Sequence, residues 1–279
     1  MLKDYSNLPW NFEAFRSFIS FEVLQQAASV LCLYDKQDFF DNSYVLQRFE
    51  EDLSIRTGVE WLPKRNIDSD IIFNSEGNLF RNKARVFSSF YLIQLDSLIN
   101  KSQLHITPLC KALGTGRISK REFYNEIITR FSYPHPAYED NWVKWREFDV
   151  SIKPFVFMLD ILINLYEIAP LHAYFTVSEF AIFAHSNPFY TSTNTIAKAI
   201  ISSRSTEEKS VRKRSDEIDR KIGDLCGFLC MTGYTYYHGN RIYLNLIDVH
   251  PSEKVYFFEK RGEINTKIQI QKLLTYGKK

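Results

Sequence analysis

The sequence predicts a mainly α-helical fold with short β-hairpins, arranged as two winged helix-turn-helix-like domains. The first observation is that one unit occurs twice. Residues 219–245 (DRKIGDLCGFLCMTGYTYYHGNRIYLN) combine a cationic helix with a hairpin that closes at His238-Gly239-Asn240. Residues 78–109 likewise combine a cationic helix with two short apolar runs on either side of Asn100-Lys101-Ser102. A helix followed by a β-hairpin is the second half of a winged helix-turn-helix, so the repeat predicts two such units.

The second observation is the length of the chain, because 279 residues exceed one average domain. Residues 131–145 contain two prolines and many polar side chains, which favours a boundary there. We therefore expect an N-terminal winged-helix-like domain at residues 1–140, a linker at residues 141–153, and a C-terminal winged-helix-like domain at residues 154–279.

Helix-start signals define the remaining elements in order. Apolar periodicity predicts helices at residues 12–31 and 44–53. A hydroxyl cap followed by proline begins a helix at Thr107-Pro108, and Gly114-Thr115-Gly116 ends it. Capping boxes begin helices at Ser119 and Thr176. Further helices are expected at residues 154–168 and at about 193–203. Another is expected to begin within the charged stretch of residues 202–221 and to end at about residue 231, immediately before the second hairpin.

The composition favours a folded protein that lies outside membranes. The sequence is 45% hydrophobic and 15% aromatic, which is enough to form a core. No apolar run reaches the ~18 residues that cross a membrane, because the longest candidate, residues 155–166, contains Asp160 and Asn164. The first ten residues lack the apolar stretch of a signal peptide, and the 4 cysteines have no framework spacing. We therefore expect a cytoplasmic protein without a membrane partner.

The first candidate site is the cationic helix that follows the turn at residues 75–78. On a helix, Arg81, Arg85 and Ser88 lie near one face. Arginine can bond guanine and asparagine can bond adenine through paired groups, while lysine and hydroxyl groups suit phosphate. The alternative is an ordinary solvated helix face. The DNA contacts predicted here are Arg81, Asn82, Lys83, Arg85, Ser88 and Ser89.

The second candidate site is the charged stretch before the C-terminal hairpin. The net charge of the chain is only +2, so DNA binding needs cations that are gathered on one face. Acidic and basic residues mixed at this density are typical of a solvated helix with ion pairs four residues apart. This is the alternative to a DNA-binding role. The functional interpretation is that the cations and the two hairpins hold phosphate. The predicted contacts are Lys209, Arg212, Lys213, Arg214 and Arg220, with Lys101 and Arg241 on the hairpins.

The sequence predicts no catalytic residue, no metal ligand and no cofactor in this chain. Metal-assisted DNA hydrolysis needs acids and a lysine that converge on strands. Glu207-Glu208-Lys209 matches the D/E-x-K pattern, but it lies in a polar stretch that is not a predicted strand. Cys226 and Cys230 lie four residues apart on an apolar helix without a histidine nearby in sequence, and we expect them to be core thiols.

Two runs resemble parts of a known family. ARVFSSFYLIQLDSLINKSQLHITPLCKAL (84–113) and DRKIGDLCGFLCMTGYTYYHGNRIYLNL (219–246) are similar to the N-terminal recognition parts of type IIS restriction and nicking endonucleases of the AlwI and MlyI group. Trp10, Phe12 and Arg16 resemble that family's opening stretch. The sequence departs from the family at Cys110, where glycine is usual, and at Tyr234, where leucine is usual.

The resemblance implies sequence-specific recognition of double-stranded DNA, as the recognition domain of a restriction-modification system. In such enzymes a PD-(D/E)xK nuclease follows the recognition part, and the chain ends at Lys279 without one. We therefore expect the nuclease domain or subunit, together with its Mg²⁺, outside this chain, which leaves its own status as an enzyme (a hydrolase) open. One alternative is a winged-helix protein-interaction or scaffold module without DNA specificity. Another is a complete nuclease with a degenerate site.

Overall fold

The protein is described by a computed structural model at residues 4–12, 20–38, 43–59, 86–94, 103–205 and 216–246. This part of the chain is mostly helical and contains a small three-stranded antiparallel sheet, which confirms the predicted mixture of helices and hairpin strands. The chain divides into two compact units. Residues 13–127 and 272–279 form one, here called the N-terminal unit, and residues 1–12 and 128–271 form the other, the C-terminal unit.

The N-terminal unit is built on helices that pack against the first of them. Ser20 begins α1, because its hydroxyl accepts a hydrogen bond from the Val23 amide at 3.3 Å. α1 packs against both α2 and α3. The last turn of α4 belongs to the other unit. The bounds are α1 (Phe21–Leu33), α2 (Ser43–Thr57), α3 (Pro108–Gly114) and α4 (Lys120–Arg130).

The caps predicted for α3 and α4 are present. The Thr107 hydroxyl accepts from the Cys110 amide at 3.1 Å, and proline occupies the first turn of α3. The Glu122 carboxylate accepts from the Ser119 amide at 2.8 Å, and the Ser119 hydroxyl accepts from the Glu122 amide at 3.3 Å. α3 ends at Gly114, where the chain passes so close to the backbone of Ala28 in α1 that a Cβ would not fit.

The base of the first predicted hairpin is also present. Helical backbone at residues 86–89 is followed by an antiparallel bridge between Ile93 and Ile106. Beside it, the Gln94 amide donates to the His105 carbonyl at 2.8 Å. The turn predicted at residues 100–102 lies outside the described residues.

The C-terminal unit contains five described helices and the sheet. α6 and the end of α9 lie where the sequence predicts them. Short 3-10 turns at Tyr5–Asn7, Pro136–Tyr138, Pro170–His172 and Tyr190–Ser192 connect the elements. The bounds are α5 (Glu139–Glu147), α6 (Pro154–Ile168), β1 (Tyr174–Thr176), α7 (Val177–Phe183), α8 (Thr193–Ser205), α9 (Asp216–Met231), β2 (Thr235–His238) and β3 (Arg241–Leu244).

The sheet has the strand order β1-β3-β2. The hairpin of β2 and β3 is the one predicted from the sequence, and Gly239 has the positive φ of +61° that its tight turn requires. The sequence did not predict β1, which pairs antiparallel with β3 so that Tyr174 faces Tyr243. A three-residue strand has no periodicity of its own, and only its pairing with β3 defines it.

The core of the C-terminal unit forms around α6, which is buried from Pro154 to Leu165. Aromatic side chains surround it. Trp10, which is 1% exposed, lies edge-on to Trp145 at 5.9 Å and to Phe180 at 5.7 Å between ring centroids. The N-terminal segment is therefore part of this core. Its burial helps to cover α6, which is a mostly apolar helix buried on all sides.

Residues 141–153, predicted as a linker, contribute to this core as well. They include most of α5 and Ile152, which forms an antiparallel bridge with Tyr133. The Trp145 indole donates to the Pro9 carbonyl at 3.0 Å, and the Tyr133 hydroxyl donates to the Asn11 carbonyl at 2.6 Å. The two compact units instead divide between residues 127 and 128.

Replacing two glycines by alanine is expected to have opposite effects on stability. At Gly114 an added Cβ would lie 2.7 Å from the Ala28 carbonyl carbon and oxygen. α1 and α3 would have to separate, which costs about 1–3 kcal/mol. At Gly223, within α9, an added Cβ meets nothing within 4 Å in the described structure, so Gly223→Ala is expected to stabilise the helix by about 0.5–1 kcal/mol. Urea denaturation measures both changes, and equal losses would contradict the close approach of α1 and α3.

The protein is expected to lose stability as the pH falls below about 6.5. Burial lowers the pKa of His135 to about 3 and that of His185 to about 4. An unfolded histidine titrates near pH 6.5, so between that pH and the folded pKa the unfolded chain binds more protons. Each histidine then lowers the free energy of unfolding by about 1.4 kcal/mol per pH unit.

Urea denaturation at two pH values, one neutral and one about two units lower, measures this loss. His185→Phe removes one titrating ring, so the variant is expected to be less sensitive to acid than the unaltered protein, even if it is less stable at neutral pH. The same loss of stability in both proteins would show that His185 is not kept neutral by burial.

Candidate nucleic-acid interface

Most of the predicted DNA-binding residues lie outside the described residues, and their roles stay predictions. The described ones are Ser88, Ser89, Arg220 and Arg241. Those outside are Arg81, Asn82, Lys83, Arg85, Lys101, Lys209, Arg212, Lys213 and Arg214.

The phosphate contacts predicted for Ser88 and Ser89 of the first cationic helix are wrong. Their exposed fractions are 1% and 0%, so neither hydroxyl lies on a surface that phosphate can reach. The reason is that the whole run from Val86 to Phe90 is buried in the N-terminal unit. Helical spacing alone could not separate a solvated face from one that is covered.

The described cations of α9 take part in ion pairs along the helix. Arg220 lies 3.8 Å from the Asp224 carboxylate, and Lys221 lies 2.7 Å from the Glu217 carboxylate. A hydrogen bond from Lys221 lowers the pKa of Glu217. The first turn of α9 also carries acidic residues, which are favourable at a helix N-terminus. This part of α9 has the paired charges that the alternative interpretation of the sequence described.

α8, by contrast, has a polar face without acidic residues. Residues 193–205 contain no Asp or Glu. Ile196, Ala197 and Ile200 are buried on one side of the helix. No run of cations marks this helix in the sequence. The feature of the sequence that could have indicated this face is the spacing of polar residues along the helix. The exposed residues are Asn194, Thr195, Lys198, Ser202 and Ser205.

The N-terminus of α8 is held by a buried polar network. The Thr193 hydroxyl donates to the Asp160 carboxyl at 3.1 Å, and the Asn164 amide donates to the same carboxyl at 3.2 Å. The Asn194 amide in turn donates to the Asn164 side-chain oxygen at 3.1 Å. These bonds attach the first turn of α8 to α6 and fix which of its sides faces outward.

The C-terminus of α8 is held by Arg204. Its guanidinium contacts the Glu179 carboxylate through two nitrogens, at 2.7 and 3.0 Å. It also donates to the carbonyls of His172, at 2.8 Å, and Tyr174, at 2.5 Å. Glu179 is the acid of the predicted capping box of α7, which is present. One side chain thus ties α8 to β1 and to the start of α7.

The outer face of the sheet carries a row of three tyrosines, which we call the tyrosine face: Tyr174, Tyr243 and Tyr236. Tyr243 lies between the other two in the strand register. Its ring is 5.1 Å from that of Tyr174 and 5.4 Å from that of Tyr236, and it stacks on Tyr236 with an angle of 14°. The guanidiniums of Arg204 and Arg241 lie 3.8 and 4.5 Å from the centre of the Tyr174 ring. The end of α8 and the hairpin therefore meet at Tyr174.

Nothing in the described residues forms a metal centre, because no three His, Cys, Asp or Glu side chains gather there in a way that could hold an ion. Cys226 is buried, as predicted, whereas Cys230 is partly exposed; burial raises the pKa of Cys230 to about 11, so it is a protonated thiol at neutral pH. Among the described helices, none is both long enough and apolar enough to span a bilayer.

Comparison with known proteins gives a likeness of fold. No protein-family model matches the sequence, and no curated protein matches it. Among solved structures, the chain is similar to the BpuJ1 endonuclease binding domain, in a crystal structure of its complex with pyrene- and phenanthrene-modified DNA. The TM-score is 0.60 at 14% sequence identity, over 85% of this chain and 80% of that one. The mostly helical fold with a small sheet is therefore shared with that binding domain.

Replacing Arg204 by lysine is expected to destabilise the protein more than the same change at Arg220. Lysine keeps the charge, but it cannot contact a carboxylate and two carbonyls in one plane, so Arg204→Lys should cost about 1–3 kcal/mol. Arg220 is 68% exposed in its pair with Asp224, and Arg220→Lys should cost under about 0.5 kcal/mol. Thermal or urea unfolding compares the two variants. Equal costs would show that the Arg204 contacts do not hold α8.

Proposed function

We propose that this protein recognises double-stranded DNA, as the target-recognition part of a restriction or nicking endonuclease. The observation that carries the proposal is the likeness, over 85% of this chain, to an endonuclease binding domain whose crystal structure contains DNA. The acid-free face of α8 and the cationic hairpin beside it support the proposal from the chemistry of this chain.

Both compact units are proposed to be winged-helix variants. In the C-terminal unit, α6, β1 and α7 are followed by α9 and the hairpin, and β3 lies between β1 and β2. α8 is then an additional helix between α7 and α9. In the N-terminal unit, the helical residues 86–89 precede the bridge of Ile93 and Ile106, which is the same order of helix and hairpin.

In the C-terminal unit, the proposed DNA-facing helix is α8. Its exposed hydroxyl and ammonium groups can bond base edges and phosphates, and no carboxylate on the helix repels the DNA backbone. Arg241 on the hairpin and Arg220 on α9 are proposed phosphate contacts. The exposed pair of Arg220 with Asp224 is weak, at about 0–1 kcal/mol, so a phosphate can replace the carboxylate.

Cleavage is proposed to belong to a separate nuclease domain or subunit that uses Mg²⁺. The described residues offer no cluster of acids for such an ion. Magnesium-dependent nicking of plasmid DNA by this chain alone would contradict this assignment and favour the complete nuclease.

The decisive measurement is duplex binding as a function of salt. We expect the affinity for a mixed-sequence duplex, measured by fluorescence anisotropy, to fall steeply between roughly 50 and 200 mM salt, because phosphate contacts release counterions. Lys198→Ala should weaken binding and reduce the slope of log affinity against log salt by about 1. Lys144→Ala removes an exposed lysine of α5, outside the proposed interface, and should leave the slope unchanged.

The two variants separate a local effect from a general one. Equal loss of slope in Lys198→Ala and Lys144→Ala would mean that α8 is not a special contact. Duplex binding that is absent, or that does not respond to salt, would contradict DNA recognition and favour the protein-interaction module.

A further inference from the structure

The tyrosine face has one closed end and one open end. At the closed end, Tyr174 is 9% exposed, and the guanidiniums of Arg204 and Arg241 lie against its ring. At the other end, Tyr236 belongs to β2, which is the edge strand opposite β1 in the order β1-β3-β2. Its ring stacks on Tyr243 and is still 47% exposed. A third planar group can therefore continue the stack beyond Tyr236.

We propose that this open end binds an unpaired base of DNA, with the Tyr236 ring as the stacking platform. The inference rests on the proposed function and adds a second mode of contact to it, at a site separate from the polar face of α8. Base–aromatic stacking does not depend on base identity, because every base has a π-face. The contact would thus add affinity without adding sequence preference.

The charges around the tyrosine face favour a nucleotide over an apolar protein segment. Arg241 and His238 are exposed and lie opposite each other in the next row of the sheet. Among the described residues, Glu179 lies beside this cluster and is already bound by Arg204 at 2.7 Å. A base stacked on Tyr236 carries a phosphate with it, and the exposed arginine offers that phosphate a cation.

The base must be unpaired, because a paired base inside a duplex already has neighbours on both faces. A base in a single-stranded tail, or one turned out of the helix, has a free face that can reach Tyr236. Of these two, we propose the single-stranded tail, a strand that continues beyond a duplex held elsewhere on the protein.

The test uses the full chain with two DNA probes of identical duplex sequence. One is blunt, and the other has a single-stranded tail that contains 2-aminopurine, whose fluorescence is quenched when it stacks. We expect the tailed probe to bind roughly tenfold more tightly than the blunt one, with quenching on binding. Tyr236→Phe keeps the aromatic ring and should preserve both effects. Tyr236→Leu should remove both and leave the affinity for the blunt duplex unchanged.

Each other outcome overturns the inference. Unchanged tail preference in Tyr236→Leu would mean that the ring is not the platform. Equal losses in the Phe and Leu variants would mean that the hydroxyl, and not stacking, makes the contact. A change in self-association by Tyr236→Leu without a change in tail binding would mean that a second copy of the chain covers the face. In all of these the blunt duplex still binds, whereas its failure to bind the unaltered protein would overturn the proposed function itself.

Discussion

The buried carboxyl of Asp160 is the constraint from which the arrangement of the C-terminal unit follows. α6 is covered along nearly its whole length, so a carboxyl in its middle must find hydrogen-bond donors inside the core. Thr193 and Asn164 supply them, at 3.1 and 3.2 Å. Because Thr193 is the first residue of α8, satisfying this carboxyl fixes where α8 begins and how the helix is turned about its axis. The outward direction of its polar face is thus set from within the core.

Arg204 applies the same kind of constraint at the other end of α8. Its contacts with Glu179 and with two backbone carbonyls leave the guanidinium little freedom, since each bond has a different direction. A helix held at both ends by directional hydrogen bonds presents its exposed side chains from a rigid base. Such a surface loses less conformational entropy when a partner binds than a mobile one does. Arg204 therefore acts by positioning α8, and in the proposed function the groups left exposed on the helix make the DNA contacts.

How much of the fold the sequence could predict depended on the distance that each interaction spans. The caps at Thr107, Ser119 and Thr176, the bounds of α6 and the C-terminal hairpin were predictable, since their contacts lie within a few residues. β1 was missed because it exists only through its pairing with β3. The segment of residues 131–153 has the polar, proline-containing composition of a boundary. It is built into the core instead, where the Trp145 indole bonds the carbonyl of a residue 136 positions earlier.

The candidate site was harder to predict, because a count of cations does not distinguish paired charges from available ones. In α9 the residues four positions from Arg220 are Asp216 and Asp224, and Glu217 lies four positions before Lys221. Helical geometry brings such positions together, so these cations meet carboxylates of their own helix. In α8 the residues four positions from Lys198 are Asn194 and Ser202, which cannot neutralise it. A single lysine among uncharged donors therefore offers phosphate a more available cation than a dense run of mixed charges does. The spacing of acids along the helices therefore favours the proposed α8 face, whereas the density of lysine and arginine favours another.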